Sequence, residues 1–254
     1  MFLKGGVTPT GDSDTPEAFT WVFAPSPASD DLKSITLEFN ESGNPYESGQ
    51  VMVTQATLRF DADNDNEPAL MLDLQLMGRD WVTTTFTAAL TDRETEPITA
   101  RGMKLFVDDA GGTIGSTQIL GKLISGSVTF NPNIHFKAFA EDETGPAANK
   151  VGRGEYQVDY QMVWEFDSDT EFAKYRNSIP QDRLIRLSRE GSEINDAPTN
   201  KLFQLDIFRG LTNSWSRSDR EGNLTMTLGG SGFYSTDEAK LVELTIVNAL
   251  GTLA

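Results

Sequence analysis

Residues 155–167 alternate between apolar and mostly polar side chains. The apolar series is Tyr156, Val158, Tyr160, Met162, Trp164 and Phe166, and the other series includes Glu155, Asp159, Glu165 and Asp167. Because successive side chains of a β-strand point to opposite faces, this pattern predicts one long strand with an apolar and an acidic face. The apolar face must meet a core. The acidic face meets water, a metal, a substrate, or a molecule that must not adhere.

The same two-residue period recurs along the rest of the chain and predicts a protein built mainly of strands. Predicted strands cover 18–24, 34–40, 51–60, 69–77, 81–90, 103–108, 118–130, 134–140, 155–167, 183–189, 201–209, 223–229 and 241–248. One helix is predicted near 169–178, where Ser168 and Glu171 form a capping box. These elements predict an all-β sandwich or barrel with a single flanking helix.

Two segments differ from the strand-rich body. Residues 1–31 are rich in Gly, Pro, Ser and Thr and are predicted to form an extended arm before a β-sandwich domain at 32–254. Residues 140–154 form a connection too long for a hairpin turn. Because both segments are polar, we expect them to become ordered only on contact with another subunit.

The overall charge and the absent cysteines exclude several classes of function. A net charge of −17 at pH 7 argues against a protein that binds nucleic acid by surrounding phosphates with Lys and Arg. With no cysteine in the chain, disulfides, thiolate zinc sites and cysteine nucleophiles are excluded. No apolar run reaches the length of a membrane span, so we expect a protein that does not enter membranes.

The usual signatures of catalysis and ligand binding fail on spacing. His135 is the single histidine, and no serine lies in a G-x-S-x-G elbow. The glycine-rich segment 107–122 lacks the spacing of a phosphate-binding loop and is predicted to be a turn. Residues 61–67 begin like a calcium loop, but Asn66 replaces the required Gly and Leu72 replaces the closing Glu. We therefore predict no enzyme, no metal site and no cofactor.

Two further classes stay open as alternatives. Carboxylates two residues apart on a strand lie about 7 Å apart, which suits the acid and base of a glycoside hydrolase. The aromatic side chains of 155–167, which a sugar-binding cleft would need, lie on the opposite face. A glycoside hydrolase is therefore the weakest of the alternatives. A decoration or receptor- or carbohydrate-binding module would display an exposed aromatic patch, whereas Trp21, Trp81, Trp164 and Trp215 fall mostly within strand patterns.

Several blocks of the sequence resemble one known family. They are GGVTPTG (5–11), FTWVFAPS (19–26), SITLEFNESG (34–43), QVMVTQATLRFDAD (50–63), PITARGMKLFVDDAGGTIGSTQILGKLISGSVTFN (97–131) and LVELTIVNAL (241–250). In these blocks the chain resembles the tail tube proteins of long-tailed bacteriophages, and the likeness covers most of its length. Members carry further residues before the first block, so we expect this chain to be short at its N-terminus.

The resemblance implies a β-sandwich with a flanking helix whose strands contribute to a channel shared by hexameric rings. Stacked rings would form a tube in the virion tail, after assembly in the host cytoplasm. The implied partners are further copies of the chain, the tape measure protein, the tail terminator and the tail-tip or baseplate proteins. DNA would pass through as cargo without being bound.

This implied channel suggests what the acidic face meets. Carboxylates repel phosphates within a Debye length of about 8 Å, whereas lysines would hold them by releasing counterions. We expect the channel to be lined by Asp73, from the strand at 69–77, together with Glu155, Asp159, Glu165 and Asp167. The alternative is that this face meets only the water outside.

Overall fold

The computed structural model describes residues 3–13, 17–25, 33–63, 69–78, 81–88, 96–120, 122–137, 150–166, 173, 182–194, 199–220 and 222–252. The strands in its first half are β1 (Thr10–Gly11), β2 (Phe19–Phe23), β3 (Ile35–Glu41), β4 (Asn44–Asp61), β5 (Met71–Met77), β6 (Trp81–Thr83), β7 (Lys104–Asp109) and β8 (Gln118–Ile119). Those in the second are β9 (Leu123–Asn131), β10 (Ile134–Lys137), β11 (Lys150–Arg153), β12 (Gln157–Glu165), β13 (Asp182–Glu193), β14 (Asn200–Arg220), β15 (Asn223–Gly232) and β16 (Val242–Asn248).

The predicted all-β class is confirmed. Each predicted strand has a counterpart, although the interval 118–130 is divided between β8 and β9. The predicted helix at 169–178 lies outside the described residues except for Ala173, which is helical. The loop predicted at 140–154 lies largely outside them too, and its last residues, Lys150–Arg153, form β11 instead.

The strand predicted at 81–90 was too long, since β6 ends at Thr83. Its partner β4 reaches Pro45 directly after this pairing; Thr84 N–H donates to the Pro45 carbonyl at 3.1 Å, but proline has no N–H to donate in return. Further on, Thr87 is held by Glu38, to which its backbone N–H donates at 2.8 Å and its hydroxyl at 2.5 Å. In contrast, β4 begins earlier than predicted because it continues through a bend at Gln50, where φ is 54°.

Among the described residues the strands form one sheet of 14 strands and a separate two-stranded hairpin of β10 and β11. β14 connects two halves of the large sheet. Its first part pairs with β13 and β16, and its second part pairs with β15. From β15 the sheet continues through β12, β9 and β4 to β5, and each neighbouring pair is antiparallel.

Both halves of the sheet contribute to one hydrophobic core. β12 supplies Val158, Tyr160, Met162 and Trp164, and the other half supplies residues such as Leu205. Gly126 on β9 lies where a side chain would collide, because a Cβ there would be 2.6 Å from Met162 Sδ and 2.9 Å from the Phe60 ring. The core thus fixes which face of β12 and β9 is turned inwards.

Candidate functional site

The strongest candidate is the face of β5, β4, β9, β12, β15 and the second part of β14 that points away from the core; we call it the polar face. In β12 the burial alternates residue by residue between Gln157 and Trp164, as its sequence predicts. Since paired residues of adjacent strands share a face, the register assigns residues of the neighbouring strands to the polar face. Its polar members include Asp73, Thr57, Arg59, Ser125, Ser127, Thr129, Asp159, Gln161, Glu165, Thr227, Ser231, Ser214, Ser216 and Ser218. The same register assigns the apolar side chains Met71, Val163 and Leu211 to this face.

One row across the strands links two predicted site residues. Asp73 is opposite Thr57, Thr57 is opposite Thr129, and Thr129 is opposite Asp159. The hydroxyls of Thr57 and Thr129 are 3.1 Å apart and share a hydrogen bond. Asp159 is opposite Ser231, whose hydroxyl donates to Asp159 Oδ1 at 2.6 Å, and Leu211 of β14 follows Ser231 in the row. The sheet therefore places Asp73 and Asp159 on the same face.

The other predicted carboxylates have different surroundings. Glu165 is exposed at the end of β12, and Glu155 is exposed just before the strand begins. Asp167 lies outside the described residues. Asp73 accepts a hydrogen bond from Arg59 Nε at 2.6 Å, so its charge is partly balanced. The acidic character of the polar face is therefore strongest along β12.

Sequence reasoning missed most of the polar face. Its commonest members are small hydroxyl side chains on β9, β14 and β15, with Arg59 as a cation on β4. The sequence contains a signal for the part of this face on β9, since Ser125, Ser127 and Thr129 occupy alternate positions in LISGSVTF. A shallow depression of about 220 Å³ lies between β4, β9 and β12, with Arg59 and Gln161 in its lining.

Residues 110–117, the middle of the glycine-rich segment 107–122, form a turn as predicted, and three consecutive backbone donors of this turn are already occupied. Asp108 accepts hydrogen bonds from the backbone N–H groups of Gly115, Ser116 and Thr117 at 2.7, 3.2 and 2.7 Å. Burial opposes the charge of Asp108, but these hydrogen bonds outweigh it and lower the pKa of the carboxyl. An internal carboxylate thus fills the place that an external anion would take.

A second internal carboxylate, Asp206 on β14, is almost completely buried, with 2% of its surface exposed. It accepts hydrogen bonds from Arg186 Nε at 2.7 Å, from a terminal nitrogen of Arg186 at 2.8 Å and from Gln204 at 2.9 Å. The two-pronged contact of a guanidinium with a carboxylate fixes β13 against β14. Asp206 is therefore part of the scaffold.

Within the described ranges, no cluster of three or more His, Asp or Glu side chains could hold a metal ion. In the calcium-like segment, Asp61 Oδ1 accepts the backbone N–H of Asp63, and residues 64–67 lie outside the described part. His135 is exposed on β10 opposite Gly152. No described helix has the length and hydropathy to cross a membrane.

The four tryptophans occupy unequal positions. Trp21 and Trp164 are buried and Trp215 is partly buried, whereas Trp81 is 60% exposed at the edge of the ribbon formed by β3, β4 and β6. Its ring contacts those of Phe39 and Tyr46, with centroids 5.5 and 5.6 Å away. Among the described residues, these three rings form an exposed aromatic cluster on the ribbon of β3, β4 and β6.

Comparison with known proteins adds one positive finding. A family model described as "Phage tail tube protein" matches residues 3–195, which is well over half of the chain. The match spans the strands from β1 to β13 and most of the polar face. No curated protein matches the chain.

Proposed function

Since the chain belongs to the phage tail tube family, we propose that it forms hexameric rings whose polar faces together line a channel for the phage genome. Family membership makes the chain a structural protein of the virion tail. The proposal adds the ring, the orientation of the polar face and the passage of DNA.

The observation that carries this proposal is the composition of the polar face. Its strands present mainly Ser, Thr, Gln and carboxylates, and the cation among these residues, Arg59, is paired with Asp73. β12 presents Asp159 and Glu165 with no basic residue between them. Small hydroxyl side chains leave a smooth surface, and they make no lasting ion pair with a phosphate. A wall of this kind can surround DNA closely without binding it.

Electrostatics explains why the acids lie there and lysines do not. DNA carries a dense row of phosphates, and each Lys or Arg that pairs with one releases counterions and holds the duplex. A carboxylate repels phosphates within about 8 Å at physiological salt. In a hexamer each carboxylate would recur six times at the same level, so a small bias in one subunit becomes a ring of negative charge.

The remaining partners follow from the same proposal. The rings would stack into a tube around the tape measure protein and end at the terminator and the tail-tip or baseplate proteins, after assembly in the host cytoplasm. The arm at 1–31 and the loop at 140–154 would become ordered between subunits. Within the arm, β2 pairs with β16, so part of it already belongs to the sheet.

A pair of charge reversals tests the role of the polar face. We expect the double variant Asp159→Lys with Glu165→Lys to form tubes and to slow DNA passage at least tenfold, because phosphates would now be held. Glu193→Lys with Glu238→Lys is the matched control, since both residues are exposed elsewhere and the net charge changes equally. Phage carrying each variant would be compared by the rate of DNA ejection and by electron microscopy.

The possible results distinguish an error in the orientation of the polar face from an error in the proposed function. Slow ejection in the first variant and normal ejection in the control support a channel lined by the polar face. Normal ejection in both, from tubes of normal appearance, contradicts that orientation. A wild-type protein that stays a 27.9 kDa monomer at every concentration, without rings or tubes, contradicts the proposed function itself.

A further inference from the structure

Residues 96–99, which we call the strap, lie beside the start of the edge strand β5. Leu70, just before β5, donates its backbone N–H to the carbonyl of Ile98 at 2.6 Å. Ala69 forms an isolated antiparallel bridge with Thr99. The strap thus starts an antiparallel pairing with the chain at the beginning of β5, and this pairing does not continue along the strand.

The strap lies on the free side of β5, since β4 is the only partner strand of β5 among the described residues. The backbone groups of successive residues in a strand point alternately to its two sides. The N–H of Ala62, which follows β4, donates to a carbonyl of β9, so the odd-numbered residues near the end of β4, such as Arg59, face β5. Arg59 is opposite Met71, so the backbone of Met71 faces β4. The backbone groups of Leu70 and Leu72 therefore face the free side.

The backbone allows the strap to continue this pairing by one more pair. In the same register Glu96 would lie opposite Leu72. Pro97 would lie opposite Met71, whose backbone faces β4, so the missing N–H of Pro97 would point away from β5 and would not be needed. A proline in this situation is tolerated in an edge strand. The proline therefore does not prevent the extension.

In the structure, Glu96 is held away from β5 by the neighbouring end of the β13–β14 hairpin. Its Oε1 accepts the backbone N–H of Ser192 at 3.1 Å, and its Oε2 accepts the Ser192 hydroxyl and the Lys201 ammonium, each at 2.6 Å. The bond from Lys201 and then those from Ser192 lower the pKa of the Glu96 carboxyl to about 2. The carboxylate is therefore charged at neutral pH and keeps these three bonds.

The side chain at position 96 decides which arrangement is favoured. Leu72 lies on the core side of β5, opposite the buried Leu58, and is 46% exposed. In the extended pairing the side chain of residue 96 would lie beside Leu72. A carboxylate would lose its three bonds and part of its hydration there, whereas an apolar side chain would cover exposed leucine surface. The natural Glu96 therefore favours the arrangement in which the edge stays uncovered.

We propose that the strap is a movable cover for the free edge of β5 and that Glu96 holds it open. In the open arrangement, Leu72 turns its backbone groups to the free side, where an edge strand can accept another strand. In the closed arrangement Glu96 leaves Ser192 and Lys201, and residue 96 pairs with Leu72. The chain itself then occupies this part of the edge. The device belongs to the single subunit and does not depend on the proposed ring.

Hydrogen exchange at the backbone N–H of Leu72 distinguishes the two arrangements. Subunits of the full chain would be isolated by size-exclusion chromatography. Glu96→Val removes the bonds that hold the strap open and supplies a β-branched apolar side chain. We expect the Leu72 N–H to exchange about tenfold more slowly than in wild type, because it becomes hydrogen-bonded. Glu38→Val is the matched control, since Glu38 of β3 is likewise held by two hydrogen bonds, from Thr87, and should leave exchange at Leu72 unchanged.

Because the chain contains no natural cysteine, a disulfide provides a second measurement. Hydrogen-bonded residue pairs of an antiparallel ladder have Cα atoms about 5.5 Å apart, which suits a disulfide. Glu96→Cys with Leu72→Cys should form an intramolecular disulfide under mild oxidation. Glu96→Cys with Gln75→Cys, three residues further along β5, is the control and should stay reduced. Peptide mapping by mass spectrometry detects the link, and circular dichroism verifies the fold.

The results decide between a cover and a mere anchor. Slow exchange at Leu72 in Glu96→Val, together with the disulfide between positions 96 and 72, supports the cover. Unchanged exchange in a folded Glu96→Val variant, or the absence of that disulfide, contradicts it. Faster exchange throughout 69–77 in Glu96→Val also contradicts it, because Glu96 would then anchor β5. None of these measurements requires rings, so a failure of the cover leaves the proposed function standing, and a failure of ring formation leaves the cover standing.

Discussion

Two groups of carboxylates in this molecule stand in opposite situations. Asp108 and Asp206 are buried, and each accepts at least three hydrogen bonds from nearby donors. Asp159 and Glu165 lie exposed on the polar face, and Asp159 accepts one hydrogen bond, from the Ser231 hydroxyl. The first group is built into the scaffold, whereas the fold makes little use of the second.

The difference in burial indicates that the first group contributes to stability, whereas the second group is available for function. A buried charge is tolerated only when hydrogen bonds and ion pairs compensate for lost hydration, so Asp108 and Asp206 report on folding. An exposed carboxylate costs nothing to keep and contributes little to the fold. Acids of the second kind, collected on one face, are therefore free to act on a molecule outside the subunit.

The largest effect is expected at Asp206. Asp206→Ala would leave the charge of Arg186 without its partner in a largely buried place, and breaking such pairs costs about 3–5 kcal/mol. Urea unfolding followed by tryptophan fluorescence would measure the loss. Asp159→Ala serves as the control, and equal losses at the two positions would remove the distinction between the groups.

Asp108 should show an intermediate effect that depends on pH. Asp108→Asn would lose charged hydrogen bonds to the turn at 115–117, at a cost of about 1–3 kcal/mol in the free energy of unfolding. Since the pKa of Asp108 is lowered on folding, its contribution is present above the ordinary pKa of 3.8 and is lost as pH falls through the lower folded value. The difference between wild type and variant should thus shrink in acid. A difference that grows below pH 4 would contradict this assignment.

The exposed ion pair on the polar face should contribute less. Arg59 and Asp73 are 2.6 Å apart, but their side chains are 45% and 56% exposed. Such pairs contribute about 0.2–1 kcal/mol and weaken with salt. A double-mutant cycle with Arg59→Ala and Asp73→Ala would measure the coupling. A value above about 2 kcal/mol would show that this acid belongs with the scaffold group.

The smallest effect on stability is expected for the acids of β12. Asp159→Asn and Glu165→Gln should change the free energy of unfolding by no more than about 0.5 kcal/mol, since both side chains are exposed. Thermal unfolding of each variant beside wild type provides the measurement. A loss comparable with that of Asp108→Asn would mean that the fold itself requires these charges.

Strands with one apolar and one polar face could be predicted from the sequence. Strand ends that depend on contacts with residues far away in the sequence could not. The period of β12 was sufficient to orient Tyr160 and Asp159, because burial on one face fixes the register. The early end of β6 could not be predicted, since it depends on its pairing with Pro45 and Tyr46 of β4, far away in the sequence. The length of β14 was also missed, because Trp215 is the one apolar residue in 212–220 and a single apolar side chain gives no alternating pattern.

The polar face itself was only partly predictable. Asp159 and Glu165 could be proposed from the alternation in β12, and Asp73 from that of β5, but Arg59 and the serines of β9 and β14 join them only through strand pairing. A register between strands far apart in sequence is set by the packed core and leaves little trace in any single segment. The register of β4 with the next strand, β5, places Asp73 opposite Thr57 and diagonally across from Arg59, with which it forms its ion pair.

The orientation of the polar face is the central claim, and an electron cryomicroscopy reconstruction of tubes assembled from this protein tests it most directly. The account predicts that the Asp159 and Glu165 side chains point towards the tube axis, with Ser127 and Ser231 beside them on the channel wall. A reconstruction that places β12 on the outer surface of the tube, with these carboxylates in the surrounding solvent, would contradict it.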